Sequence, residues 1–224
     1  MTPKIMTHTI TVGFAQTNAY ICYDDNTRKG VLIDPGGDGP KIRKIIADKG
    51  ISIAAILLTH GHLDHIAAAD ELRHTLKVPT LASKKDAELA NNQDYNGTAV
   101  FRMPPINAAV DEYLQDGQEL DLLADKNQSA DSSVKIIAMH TPGHTHGHIC
   151  YYLPDFDILY SGDHLFRESY GRYDLPTGDF TALRQSMIQI LALPPHTTVY
   201  PGHGPSTTIE HEQTNNLLWI NLKK

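Results

Sequence analysis

Short apolar runs separated by turn residues dominate the first third of the chain. Runs that alternate between apolar and polar positions, or that are rich in β-branched and aromatic residues, predict strands. They lie at 5–12, 19–23, 30–33 and 53–58. Apolar positions at 42, 45 and 46 predict a helix over 40–49 that Gly50 closes. Because the run at 53–58 is continuously apolar, its strand is expected to be buried on both faces.

Helices and strands alternate over the rest of the chain as well. The pattern predicts helices over 64–76, capped by Asp64, and over 83–92, capped by Ser83. Residues 91–117 are polar and irregular, which predicts a long surface insertion. The remaining strands are expected near 78–81, 119–123, 134–139, 148–153, 158–161 and 197–200, and the remaining helices near 180–193 and 208–221. Since no Pro- or Ser-rich linker divides these elements, the sequence predicts an α/β fold with two sheets.

Composition narrows the classes of function. With 41% hydrophobic and 20% charged residues, the protein is expected to be globular rather than disordered. A formal net charge of −7 without a Lys/Arg run argues against nucleic acid or an anionic membrane as a partner. Cys22 and Cys150 lie inside apolar runs, and no stretch has the length of a membrane span. We therefore expect a single cytoplasmic domain over 1–224 without disulfides.

Histidines form two dense clusters, and the first follows a buried strand directly. The chain holds 13 His against 19 Lys plus Arg, and residues 59–65 read THGHLDH. A strand end fixes the backbone at this point, Gly61 permits a tight turn, and side chains at alternate positions point into one pocket. Neutral imidazole and carboxylate are ligands that zinc and similar divalent metals prefer. The segment therefore predicts a metal site at the end of this strand.

Three further segments carry His or Asp just after an apolar run, where Gly or Pro turns the chain. They are MHTPGHT at 139–145, YSGDH at 160–164 and YPGHGP at 200–205. Four residues of the first cluster are too few for two metal sites, so these segments are expected to supply the other ligands.

Together, H-x-H-x-D-H, TPGHT, SGD and PGHGP resemble the metallo-β-lactamase-fold hydrolases, and most closely the small single-domain glyoxalase II branch. The resemblance implies an αββα sandwich of two mixed sheets flanked by helices, with two divalent metal ions at one edge. Zinc is the expected metal, with iron or manganese as alternatives. The ligands that the resemblance implies are His60, His62 and His140 for the first metal, Asp64, His65 and His203 for the second, and Asp163 as the bridge.

The resemblance also bears on polar residues outside the implied ligand set. Asp34 resembles an aspartate that hydrogen-bonds a ligand imidazole and fixes its tautomer. His144, in the TPGHT turn, is expected to be a structural or supporting group rather than a ligand. His146, His148 and His164 depart from the family pattern. We expect His164 to be exposed, with a place beside the metals as the alternative.

The resemblance implies hydrolysis of a thioester, or a related ester, of the hydroxyacylglutathione type. Hydroxide formed between the two metals would attack the acyl carbonyl, with Asp64 and Asp163 as catalytic residues. The alternative is a persulfide dioxygenase with a single iron held by residues that match His60, His140 and Asp163. True β-lactamases are disfavoured because they usually lack an Asp at position 163.

The substrate is expected to be a small, anionic molecule. Longer glyoxalase II enzymes carry a helical C-terminal domain for the glutathione tail, and this chain ends soon after His203. The substrate wall is therefore expected from 91–117 and 164–178, where the candidates are Tyr95, Arg102, Arg172 and Tyr173. We expect Arg172 to bind an anionic group, because guanidinium suits bidentate contact with a carboxylate. An oligomer that completes the wall is an open alternative.

Overall fold

Two six-stranded sheets lie at the centre of the computed structural model, which describes residues 2–123 and 134–222. The first sheet contains, in spatial order, β1 (Ile5–Val12), β2 (Thr17–Asp24), β3 (Lys29–Ile33), β4 (Ser52–Leu57), β5 (Thr80–Ser83) and β6 (Glu112–Leu114). Strands β1 to β3 pair antiparallel, and strands β3 to β6 pair parallel. The carboxyl ends of β3, β4 and β5 therefore meet at one edge.

The second sheet is antiparallel except for one parallel pair. It contains, in spatial order, β7 (Gln118–Leu120), β8 (Ile136–His140), β9 (Ile149–Leu153), β10 (Ile158–Gly162), β13 (Thr198–Pro201) and β14 (Thr207–Thr208). Strands β10 and β13 run parallel, so their carboxyl ends also lie together. A separate hairpin is formed by β11 (Leu165–Phe166) and β12 (Ser169–Tyr170).

Helices cover the outer faces of both sheets. They are α1 (Gly39–Asp48), α2 (Leu63–Ile66), α3 (Ala69–Leu76), α4 (Lys84–Ala90), α5 (Phe180–Leu191), α6 (Ile209–Asn215) and α7 (Leu217–Leu222). One apolar cluster joins the first sheet to Ile42 of α1 and Leu72 of α3, and another joins the second sheet to Met187 of α5. A third cluster lies between the sheets, which confirms the predicted αββα sandwich.

Strand β4 shows how the apolar pattern encodes this layering. Ile56 belongs to the cluster on the helical side, and Leu57 belongs to the cluster between the sheets. Both side chains are fully buried. Because successive side chains of a strand point to opposite faces, a continuous apolar run fits a strand that is covered on both sides.

The predicted helix over 64–76 is divided into α2 and α3. The backbone N–H of Ala68 donates to the carbonyl of Pro35, at 2.9 Å, rather than continuing the first helix. Gly36 packs so closely on this turn that a Cβ at its position would overlap the Asp64 carbonyl oxygen. The helix therefore breaks where the 34–37 turn docks on it. His62, and not Asp64, is the N-cap residue.

Two other helix predictions have different outcomes. Ser83 caps α4 as predicted, because its hydroxyl accepts a hydrogen bond from the Asp86 N–H. The predicted helix over 208–221 divides at Asn216, whose backbone is extended. The buried Asn216 side chain donates to the Ser169 carbonyl and to Glu212. Within residues 2–123 and 134–222, no helix has both the length and the apolarity needed to cross a membrane.

Candidate metal centre

Loops from both sheets meet at one end of the sandwich. The Ile149 N–H donates to the Thr59 carbonyl at 2.8 Å, which joins β9 of the second sheet to the loop after β4 of the first. The Gly202 N–H donates to the Gly162 carbonyl at 2.8 Å, which joins the loops after β13 and β10. These bonds hold the loop after β4 against the second sheet and hold the loops after β10 and β13 against each other.

Three buried imidazoles form the first group of candidate ligands, here called the histidine triad: His60, His62 and His144. One ring nitrogen of each lies within 4.8 Å of the other two. The His62 Nδ1 and His144 Nε2 atoms are 2.9 Å apart. Burial, together with the neighbouring imidazoles, lowers the pKa of His60 well below its usual value and that of His62 to about 3. The triad is therefore neutral at neutral pH, with lone pairs available to a metal.

Two carboxylates and two imidazoles form the second group, here called the acidic half: Asp64, Asp163, His65 and His203. The His203 Nε2 atom lies 3.2 Å from Asp64 Oδ2, and the His65 Nε2 atom lies 3.2 Å from Asp163 Oδ1. Burial opposes charge on His65, but the carboxylates of Asp163, Asp64 and Asp34 together raise its pKa well above the usual value. The pKa of His203 is also raised, because its contacts with Asp64 and Asp163 outweigh its burial.

Asp163 connects the two groups. Its carboxylate oxygens lie 3.2 Å from His65 Nε2, 3.5 Å from His203 Nε2 and 3.8 Å from His144 Nε2. Burial disfavours the charged form of Asp163, but His65 and the other imidazoles lower the pKa of this carboxyl below its usual value. Asp163 is thus an ionised carboxylate in contact with imidazoles of both halves.

Hydrogen bonds at the far side of three rings fix which nitrogen faces the centre. The Nδ1 atom lies 3.0 Å from the Thr59 hydroxyl in His60, 2.7 Å from the Arg172 carbonyl in His144 and 2.9 Å from Asp34 in His65. In His60 and His144 the Nδ1 atom is the donor, so the lone pair is on Nε2 and directed toward the centre. In His65 the bond to Asp34 turns Nε2 toward the centre.

The unpaired atoms of the centre fit bound metal. Among the described residues, the buried atoms without a hydrogen-bond partner include His60 Nε2, and also His65 Nε2 and Asp163 Oδ1, which contact each other at 3.2 Å as an ion pair. An unpaired buried polar atom is costly, and a native protein usually satisfies it. These three atoms belong to one site whose ligand types, imidazole and carboxylate, suit divalent zinc or iron. The residues therefore fit bound divalent metal.

Asp34 contacts His65 on the side of the ring that faces away from the centre. Its Oδ2 atom accepts from His65 Nδ1 at 2.9 Å and from the Thr59 hydroxyl at 2.7 Å, and its Oδ1 atom accepts from the Thr59 N–H at 2.8 Å. Asp34, His60 and His65 also lie close enough together to hold an ion. Since both Asp34 oxygens already accept hydrogen bonds, we interpret Asp34 as a group that orients His65.

The structure differs from the sequence prediction at His140, which is not part of either group. The residue ends β8, where it pairs with Ile149, and its backbone N–H donates to Asp116. Burial, together with Lys85, lowers the pKa of its half-buried imidazole, and Asp116 acts in the opposite direction. The Pro-Gly turn that follows reverses the chain, so that His144 takes the position in the triad expected for His140. The prediction that His144 only supports the site is corrected in the same way.

His164 is buried, and the prediction that it is exposed is wrong. Its ring lies 5.7 Å from that of His148, which in turn stacks on His60 at 5.3 Å. The His148 Nδ1 atom is 2.9 Å from the Thr141 hydroxyl. These two histidines thus form a buried layer next to the triad.

Sequence reasoning missed Asp86, a carboxyl group buried in the first turn of α4. It accepts the Gly61 N–H at 3.0 Å and the Thr145 hydroxyl at 2.9 Å. Gly61 lies between two triad histidines, and Thr145 follows the third. Asp86 therefore joins the two loops that carry the triad. Burial raises its pKa to about 7, although the hydrogen bonds from Gly61 and Thr145 act in the opposite direction.

A cavity of about 490 Å³ opens above the centre. Five of the candidate ligands line it, namely His62, Asp64, His144, Asp163 and His203. Of the predicted substrate contacts, Tyr95 and Arg172 also line the cavity. The Arg172 guanidinium makes two hydrogen bonds to Asp174, at 2.8 and 2.9 Å. Tyr173 packs its ring on Phe180, with centroids 4.6 Å apart, and Arg102 is exposed.

The model of the metallo-beta-lactamase superfamily matches residues 12–203, and the chain belongs to this superfamily. The relative "probable metallo-hydrolase YqgX" of Bacillus subtilis is 36% identical over 92% of this chain and 93% of its own length. The hydroxyacylglutathione hydrolase GloC of Haemophilus influenzae is 30% identical over 90% of this chain and 92% of its own length.

Solved structures show the same similarity over nearly the whole chain. The BLEG-1 B3 metallo-beta-lactamase superimposes with a TM-score of 0.86 at 36% identity, over 96% of this chain and 99% of that one. TTHA1623 in a di-iron-bound form superimposes with a TM-score of 0.79 at 35% identity, over 94% of this chain and 98% of that one. The fold and the metal-binding character of the site are thus those of metallo-hydrolases.

Proposed function

We propose that the protein is a metal-dependent hydrolase that cleaves a thioester or a related ester. The observation that carries this proposal is the juxtaposition of the histidine triad and the acidic half, with Asp163 in contact with both. In the proposed centre the triad holds one divalent ion, and Asp64, His65 and His203 hold the second. The name of the relative GloC, a hydroxyacylglutathione hydrolase, supports a thioester as the substrate.

Each group of the site has a separate role in the proposed hydrolysis. Bound divalent ions supply Lewis acidity, which lowers the pKa of water and polarises a carbonyl group. Asp64 and Asp163 line the cavity, so their carboxylates can take the proton of the attacking water and return it to the leaving thiolate. Asp34 holds His65 in one orientation, and the Arg172 carbonyl does the same for His144. These contacts preorganise the centre before substrate binds.

Direct attack by water fits the state of the two cysteines. Cys22 and Cys150 are fully buried, and burial raises the pKa of each thiol to about 12. A protonated, inaccessible thiol is a poor nucleophile. A covalent acyl-cysteine route is therefore disfavoured, and zinc remains the expected metal, with iron as the alternative that the di-iron form of TTHA1623 suggests.

The test combines metal analysis with three activity assays on protein purified without added metal. We expect close to two metal equivalents per chain, and release of thiol from a hydroxyacyl thioester. A single iron with oxygen uptake on glutathione persulfide would instead identify a dioxygenase. Cleavage of a β-lactam without thioester cleavage would place the protein with BLEG-1. Either result would overturn the proposal.

A further inference from the structure

Large apolar side chains surround the mouth of the cavity. Val100 is 71% exposed, Phe101 58%, Phe14 57% and Tyr95 47%. All four line the cavity. Phe14 is at the turn between β1 and β2, while the other three belong to the 91–111 segment. Contiguous exposed apolar side chains are uncommon on a protein surface and usually mark a binding site.

Two of these side chains meet across the cavity mouth. The rings of Phe14 and Phe101 have centroids 5.5 Å apart and are tilted by 59°. This contact joins two segments that are distant in sequence, one from the edge of the first sheet and one from the long connection before β6. A flat apolar group that enters between these segments would contact aromatic surface from both.

The apolar lining continues on the side of the β11–β12 hairpin. The cavity is also lined by Phe166, Tyr170, Leu175 and Pro176. Phe166 lies 6.1 Å from His203, measured between ring centroids, so the apolar surface reaches the acidic half directly. An apolar group bound there would sit beside the reacting centre.

Among the described residues of the lining, Arg172 is the cationic side chain apart from the candidate ligands. Outside the candidate ligands, the charged side chains among the described lining residues are Asp94 and Arg172. Both guanidinium hydrogen bonds of Arg172 go to Asp174, so its charge is already balanced. Away from the metal ions of the proposed centre, a carboxylate on the acyl group would meet Asp94 and a guanidinium that is already paired with Asp174. The lining therefore favours an uncharged substrate over an anionic one.

We infer that the site takes thioesters or esters with an apolar acyl group, an aromatic ring or a medium-length alkyl chain, which Phe14 and Phe101 hold at the cavity mouth. This inference rests on the proposed function. A cavity of about 490 Å³ is large enough for such a molecule. It also revises the expectation that Arg172 selects an anionic substrate.

The experiment compares acyl thioesters of one uncharged thiol, N-acetylcysteamine. The acyl groups are acetyl, butyryl, hexanoyl, benzoyl and succinyl. We expect kcat/KM to rise roughly fourfold with each methylene and to be lowest for the charged succinyl group. Phe101→Ala and Phe14→Ala should each reduce the preference for hexanoyl over acetyl by about tenfold. Tyr113→Ala removes another exposed aromatic ring, on β6 outside the cavity lining, and should leave the preference unchanged.

A binding measurement separates this inference from the proposed function. Ketone analogues, in which a methylene replaces the thioester sulfur, are titrated calorimetrically against the metal-loaded protein. Tighter binding of the hexanoyl than of the succinyl analogue, weakened by Phe101→Ala, supports the apolar site even if no thioester is cleaved. Equal or tighter binding of the succinyl analogue, or a Phe101→Ala variant that binds hexanoyl as the wild type does, would overturn it while leaving the hydrolase proposal intact.

Discussion

The histidine triad and the acidic half use similar ligands in opposite electrostatic settings. The triad contains three buried imidazoles, and the pKa of each is lowered, mainly by burial. In the acidic half, the neighbouring carboxylates raise the pKa of both His65 and His203 despite burial. The triad thus offers a metal neutral imidazole ligands, whereas the acidic half also offers the negative charge of its carboxylates.

Because of this difference, Asp163 is expected to be important for metal binding at the triad. A divalent ion among three neutral imidazoles has no anionic ligand of its own, and Asp163 is the carboxylate that reaches toward the triad, at 3.8 Å from His144. The acidic half keeps Asp64 even without it. Two unit charges 4 Å apart interact by about 4 kcal/mol at an effective dielectric constant of 20, and a dication interacts more strongly. We therefore expect the affinity of the triad for a divalent ion to depend on the negative charge of Asp163 more than on the number of ligands.

The largest effect is therefore expected from Asp163→Asn. This change keeps the shape of the side chain and removes its charge. We expect metal content to fall from about two equivalents to one or less, and turnover to fall at least about 100-fold, since even supporting residues of metal sites contribute 10–100-fold. Elemental analysis and thiol release measure the two effects.

His74→Ala is the control for this variant. His74 is exposed on α3, and its Nδ1 atom bonds only to the helix backbone at Asp70. It should retain both metals and nearly full turnover. Two metal equivalents with near wild-type turnover in Asp163→Asn would show that Asp163 does not connect the two halves.

A matched pair of histidine variants sharpens the boundary of the triad. His144→Ala removes a triad nitrogen, so we expect loss of about one metal equivalent and a large loss of turnover. His140→Ala, four residues earlier, changes a half-buried ring near Lys85 and Asp116. It should keep both metals, with stability within about 0.5 kcal/mol of wild type, as for most surface changes. The reverse result would restore His140 as the ligand that the family resemblance implied.

The sequence predicted this fold well because its signals are local. Alternation and continuous apolar runs located the strands, and the cap of α4 followed from Ser83. The break between α2 and α3 was not predictable, since it depends on the docking of the 34–37 turn against Asp64. Tertiary contact, rather than helix propensity, ends α2.

In the candidate site, too, local features could be predicted from the sequence and features that depend on tertiary contacts could not. H-x-H-x-D-H indicated the position of metal chemistry, since its spacing is local. The choice between His140 and His144 depends on the direction of the chain after Pro142, which spacing does not encode. Asp86 gave no signal beyond an acidic residue in the first turn of a helix, because its two partners come from other loops.

Asp86 leads to the prediction with the smallest effect, which concerns the pH dependence of stability. Folding raises the pKa of this carboxyl from the usual 3.8 to about 7 because the side chain is buried. Between these two values the folded protein binds a proton that the unfolded chain does not. Wild-type stability should therefore decline as pH rises from about 4 to about 7, and this group should contribute no further change above that.

Asp86→Asn stays uncharged at every pH and removes this decline. Asp86 accepts from Gly61 with one oxygen and from Thr145 with the other, whereas an amide has one oxygen, so the variant carries a pH-independent cost of about 1–3 kcal/mol. Urea unfolding at pH 5, 6, 7 and 8 should show the variant gaining on the wild type as pH rises, by up to about 1.4 kcal/mol per pH unit. Asp48→Asn, which changes an exposed carboxylate on α1, is the control. If the curves of wild type and Asp86→Asn run parallel across this range, Asp86 is not protonated in the fold, and the two triad loops are joined by a permanently charged carboxylate.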